Sequence, residues 1–159
     1  MIVSNTSPLY YLHQLGCLDL CHDLFGRVHT TPEVLAELDA GRAQGLDIPD
    51  TAACGWLEIA EIAVPAFLDL IPDLGRGEAS VLALALEHPG CHVILDDRLG
   101  RQVARSQHIS VTGTLGVLLL AKQSGLVASL GALIPRLVGH GFFCNRALVA
   151  EVLRLAGEA

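Results

Sequence analysis

Residues 91–116 read CHVILDDRLGRQVARSQHISVTGTLG, and this stretch decides the fold. Cys91 to Leu95 is a short continuous apolar run, the pattern of a strand buried on both faces. It stops at two acids, Asp96 and Asp97, and Arg98 leads into a helical stretch that runs through His108. Ile109 to Val111 is a second short apolar run. Thr112-Gly113-Thr114 then leads into a helix from Leu115 to Ser124. Strand, helix, strand, helix at this spacing predicts an α/β protein with a parallel sheet and helices on both of its faces.

The same alternation continues outward. At the N-terminus, MIVSNTSPLYYL gives a strand from Ile2 to Ser4. Ser7 is expected to cap a helix whose first residue is Pro8 and which ends at Gly16. A helical turn over Leu18 to Phe25 precedes a strand from Arg27 to Thr30. Thr31-Pro32-Glu33 opens a helix with Val34, Leu35 and Leu38 on its apolar face, and a third strand is expected from Trp56 to Ile62. Gly75-Arg76-Gly77-Glu78 opens another helix through Glu87, and two further helical stretches, near Leu130 to Val138 and Arg146 to Ala156, close the chain.

At 159 residues the chain is expected to form one domain, residues 1–159, with a substantial core. Only 17% of residues are charged and 52% are hydrophobic. Such helices are too apolar for full solvation, which predicts a homodimer. A formal charge of −7 argues against a general basic nucleic-acid binder. No targeting segment is visible, and the longest apolar run, Leu115 to Ala121, is far short of a membrane span. A soluble, cytoplasmic protein without membrane contact is expected. The five cysteines include no CxxC, so Cys17, Cys21 and His22, like His88, Cys91 and His92, are read as ordinary thiols and imidazoles rather than zinc half-sites.

In an open parallel sheet, ligands bind beyond the carboxyl ends of the strands. Asn5 ends the first strand, Asp96 and Asp97 the fourth, and Thr112 and Thr114 follow the fifth. Glu37, in the second turn of one helix, and Glu78, at the start of another, reach the same rim. Two like charges 4 Å apart cost about 4 kcal/mol at an effective dielectric near 20, so such a cluster is expected to need a counter-ion. Oxygen ligands suit magnesium or manganese, and the chemistry implied is phosphodiester hydrolysis. Each acid has a simpler explanation when taken alone. Glu78 suits a helix N-terminus, Glu37 a solvated helix face, and one of Asp96 and Asp97 a helix cap. Asp97 and Arg101 have the i,i+4 spacing of an ion pair. Glu33, in the first turn of its helix, is assigned to the helix dipole.

The ordered set VSNTSPL, TPEVLAEL, GRGEASVLALALE, VILDDRLGRQVA and VTGTLGVLLLAK resembles the PIN-domain superfamily over nearly the whole chain. The likeness is to a prokaryotic PIN-like branch related to the VapC toxins. It implies a three-layer α/β/α fold with a central parallel sheet of four to five strands. It also implies a magnesium- or manganese-dependent ribonuclease, the toxin of a toxin–antitoxin pair held by a small antitoxin protein. By position, the family's acids fall on Asn5, Glu37, Glu78 and Asp97, with Asp96 as the alternative at the last place. Thr6 and Ser7 match the small polar pair after the first acid, and Thr112 or Thr114 the hydroxyl after the last strand. Asn5 departs from the pattern, because an amide oxygen can ligate a hard cation but carries no charge.

Two functions follow. In one, Asn5, Glu37, Glu78 and Asp97 serve a ribonuclease, with Arg98, Arg101 and Arg105 either meeting RNA phosphates or forming ion pairs on the helix surface. In the other, the scaffold has lost catalysis and binds RNA or a protein partner. A small-molecule enzyme is disfavoured, since neither GxGxxG nor GxxxxGK[ST] is present.

Overall fold

The structure, a computed structural model, describes residues 1–158. Five strands form one all-parallel sheet: β1 (Ile2–Ser4), β2 (Val28–Thr30), β3 (Leu57–Ile59), β4 (His92–Ile94) and β5 (Ser110–Thr112). Their spatial order is β3-β2-β1-β4-β5. The helices are α1 (Thr6–Gln14), α2 (Leu20–Phe25), α3 (Pro32–Ala43), α4 (Ala66–Asp69), α5 (Arg76–Glu87), α6 (Arg98–Ser106), α7 (Thr114–Gln123), α8 (Leu130–Gly139) and α9 (Arg146–Leu155). This is the expected three-layer α/β/α architecture.

Alternating side chains of the central strands feed two separate cores, as the pleat requires. Val3 and Val93 point into a core closed by Val34 and Leu38 of α3 and by Val81, Leu82 and Leu84 of α5. Ile94 points the other way, to Val117 and Leu118 of α7 and Leu130, Ile134 and Leu137 of α8. Helix α5 is buried along Ala79 to Ala85, which is why its sequence reads apolar nearly all round. Thr31 caps α3 by accepting from Val34 N–H, with Pro32 at the first helical position.

Some boundaries differ from those expected. The edge strand β3 covers Leu57–Ile59 rather than Trp56 to Ile62, because its single neighbour β2 is three residues long and offers no further ladder. Helix α1 starts at Thr6, with Asn5 rather than Ser7 at the cap position; Ser7 lies inside its first turn. Helix α4, between β3 and α5, carries no strong periodic signal in the sequence; Leu68 anchors it in the core. No helix among the described residues is long and apolar enough to cross a membrane.

The strand order reverses direction at β1, between β2 and β4. A crevice opens at such a switch point, at the carboxyl ends of the strands. Asn5 and Asp96 flank it from β1 and β4.

Candidate metal centre at the carboxyl edge

The end of β1 places Asn5. Its backbone N–H donates to Ile94 O at 3.0 Å, continuing the β1–β4 ladder by one bond before α1 begins. The side chain is 1% exposed. Asn5 Nδ2 donates to Glu78 Oε1 at 2.8 Å, while Asn5 Oδ1 is buried with no hydrogen-bond partner. The reverse orientation would set two oxygens against each other, so the contact with Glu78 fixes which end of the amide faces the acid.

Glu37 reaches the rim from α3. Its Oε1 accepts from Gly77 N–H at 2.8 Å and its Oε2 accepts from the Thr6 hydroxyl. Glu37 thus satisfies an N–H in the first turn of α5 that has no partner within its own helix. A side chain at position 77 would forbid this, since a Cβ there would lie 2.5 Å from Glu37 Oε2. The next residue is Glu78. Burial pushes its carboxyl above the usual range; the Asn5 hydrogen bond pulls it back in part, and the charges of Glu37 and Asp97 raise it further.

Asp97 is the exposed N-cap of α6, with Oδ2 accepting from Gly100 N–H at 2.7 Å. Gly100 is the spacer between Glu78 and Asp97: a Cβ there would sit 3.3 Å from Glu78 Cγ and 3.5 Å from Asp97 Oδ2. Asn5, Glu78 and Asp97 are therefore linked in one group, from the buried Asn5 to the exposed Asp97, and Glu37 adjoins it through Gly77.

Asp96 is occupied differently. Its Oδ1 accepts from Thr114 N–H at 2.7 Å and its Oδ2 from the Thr114 hydroxyl at 2.6 Å. Burial raises its carboxyl, and the Thr114 bonds and the nearby Arg101 oppose that rise. The Thr112 hydroxyl lies 2.7 Å from His92 Nε2, so it bonds across β4–β5 rather than to an acid. Arg101 does not pair with Asp97; its Nη1 donates to Leu95 O at 3.1 Å. Arg98 and Arg105 are exposed, and Ser7 lines a small cleft with Thr6, Tyr10 and Glu37. Sequence reasoning missed Gly77 and Gly100 as spacers. Their signal was a glycine beside or near an acid in GRGE and DRLGR, which identifies a close approach only once the opposing helix is known.

Each acid meets a neutral donor: Asn5 on Glu78, Thr6 and Gly77 on Glu37, and Gly100 on Asp97. Among the described residues, no three His, Cys, Asp or Glu side chains converge as a ready metal cluster. The donor set nevertheless fits a hard divalent ion. Asn5 Oδ1 is a ligand oxygen left without a partner on the same amide that holds Glu78, and leaving such an atom buried costs about 1–3 kcal/mol. Magnesium commonly binds through one or two carboxylates, completed by water and substrate phosphate, rather than in an all-protein cage.

The DUF3368 family model, described as a PIN domain, matches residues 1–158. No curated protein and no solved structure matches significantly. The match covers every strand and helix that builds the rim, and the five-stranded parallel sheet is that of the family. PIN domains are generally nucleases, typically dependent on divalent metals. The chain belongs to the PIN-domain superfamily.

Proposed function

We propose that the protein is a magnesium- or manganese-dependent ribonuclease that hydrolyses RNA phosphodiesters. The observation that supports this best is the unpartnered, buried Asn5 Oδ1, held beside Glu78 by the other end of the same amide. Asn5, Glu78 and Asp97 would hold the cation, and Glu37 would stay close enough to orient a water. A bound divalent ion supplies neutralisation of phosphoryl charge and a lowered pKa for an attacking water. The chain supplies the positioning. Thr6 and Gly77 fix Glu37, Asn5 fixes Glu78, and Gly100 fixes Asp97. Asp96 fastens the start of α7 instead, which favours Asp97 as the ligand.

The family resemblance supports a toxin role with a small antitoxin as partner. Exposed Val138 on α8 and Leu155 on α9 support the homodimer expected from composition. The test is cleavage of a structured RNA pool by the purified chain in manganese, beside Asp97→Asn and Asn5→Asp. Cleavage that disappears in Asp97→Asn supports the assignment, and unchanged cleavage removes it.

A second reading is a non-catalytic scaffold that binds RNA or a protein. Closure of the acidic network by neutral donors favours it. Calorimetric titration with manganese separates the two, because a scaffold that has lost its site shows no binding.

A further inference from the structure

Beside the acids lies a second feature that hydrolysis does not require. A cavity of about 390 Å³ opens at the carboxyl end of β5; its wall is mostly apolar, with Phe142, Phe143 and Leu148, and Asp96, Arg101 and Thr112 are its polar groups. Its two aromatic residues behave differently. Phe142 packs edge-to-face on Tyr11 of α1, with ring centroids 5.1 Å apart, and so anchors the α8–α9 turn. Phe143 is 93% exposed, the most exposed large apolar side chain among the described residues. A ring held out in water on an anchored turn, at the mouth of a cavity, is a stacking surface without a partner.

Thr114 takes both oxygens of Asp96, so the polar group of the wall with bonding capacity to spare is the Arg101 guanidinium, which favours an anionic occupant. Arg101 spends one N–H on Leu95 O, which leaves most of its five donors for other partners. Arg98, Arg101 and Arg105 recur along one side of α6. Among the described residues none of the three has a carboxylate within 4.0 Å, which also holds for Arg76, Arg136 and Arg146, whereas Arg27, Arg42, Lys122 and Arg154 are paired. On a chain of charge −7, that leaves a cationic strip along α6, of which Arg101 borders the cavity. An apolar peptide side chain would bury Phe143 but strand the guanidinium donors. An unpaired nucleotide satisfies both, with its base on the ring and its phosphate on the arginines.

We propose that Phe143 and Arg101 form a subsite for one unpaired nucleotide of a single-stranded RNA segment, adjoining the acidic centre. This rests on the ribonuclease reading for its choice of ligand. The subsite selects RNA that is unpaired beside the cleaved bond, because a base held in a helix cannot turn out onto Phe143. Phe143 is a specificity-determining residue and takes no part in the chemistry.

The test is binding of a fluorescein-labelled single-stranded RNA decamer, read by anisotropy, with calcium present to neutralise the acids. Wild type, Phe143→Ala and Phe143→Trp are compared, each with the intact decamer and with decamers carrying one abasic nucleotide at successive positions. Phe143→Ala is expected to bind the intact decamer roughly ten-fold more weakly, and Phe143→Trp to bind as wild type does. One abasic position is expected to weaken wild type by a similar factor and to leave Phe143→Ala unchanged. Equal binding by Phe143→Ala and wild type overturns the proposal, as does absence of RNA binding by wild type. A change from dimer to monomer in Phe143→Ala by light scattering also overturns it, since the ring then covers a protein surface. Cleavage in manganese is scored separately. A wild type that shows the abasic pattern but cannot cleave retains the subsite and loses the nuclease reading.

Discussion

Asn5 Nδ2 donates to Glu78 Oε1 across 2.8 Å, joining the end of β1 to the first turn of α5. Asn5 is therefore a donor to another candidate ligand as well as a candidate ligand itself. Asn5→Asp removes the donor and sets a second carboxylate against Glu78. Without divalent ions the variant is expected to lose roughly 1–3 kcal/mol of stability. Manganese should restore more stability to it than to wild type, because it then neutralises one more charge. Thermal melts with and without manganese check both points; a variant as stable as wild type in chelator would contradict the Asn5–Glu78 account.

Asp96 and Asp97 are expected to separate cleanly. Asp97→Asn keeps an equally good cap on α6, so its stability should lie within about 0.5 kcal/mol of wild type while its response to manganese disappears. Asp96→Ala strips Thr114 of both its contacts and should cost about 1–3 kcal/mol. Urea denaturation paired with manganese titration tells whether the two neighbours divide in this way.

Gly77→Ala places a methyl against the Glu37 carboxylate. The lost hydrogen bond from Gly77 N–H outweighs alanine's helix preference, leaving a net destabilisation of about 1 kcal/mol. The larger expected effect is on cleavage, since Glu37 must swing away from the rim. Loss of activity in a folded protein only about 1 kcal/mol less stable than wild type is the outcome to look for, and undiminished cleavage would remove Glu37 from the site.

Glu158 closes the start of α8 by accepting from Leu130 N–H at 2.7 Å, Gly131 N–H at 2.8 Å and the Ser129 hydroxyl at 2.9 Å. These donors, the two backbone N–H groups first, hold its carboxyl down at about 2. A depressed folded value means that the stabilisation is present above the ordinary glutamate pKa and is lost as pH falls from there toward 2. Wild type should thus lose stability over that window by more than Glu158→Gln does. Melting temperatures of the two proteins between pH 6 and about pH 2.5 provide the check.

Much of the fold was legible because parallel sheets bury their strands on both faces. Val93, Ile94 and Leu95 form a short apolar run bounded by the Pro89-Gly90 turn and by two acids, the length and flanks of a strand buried on both faces. Element ends were less legible. Ser7 has the chemistry of a cap, but β1 pairs one bond further along β4 than its side chains reveal, and that extra bond hands the cap position to Asn5. The extent of β3 depended on how much of β2 was there to pair with, which is a property of another segment.

The sequence by itself determined which residues arrive at the carboxyl edge. Asn5, Glu37, Glu78, Asp96 and Asp97 stand at strand ends or in the opening turns of helices, and chain connectivity carries them there. Only the tertiary structure decided what each one does on arrival. Asp96 and Asp97 are adjacent in the chain, yet Thr114 takes both oxygens of the first and leaves the second exposed. Asn5 and Glu78 are 73 residues apart and share a hydrogen bond. Hydrogen bonds act over about 3 Å, a distance set by how two helices and a strand pack and not by spacing along the chain.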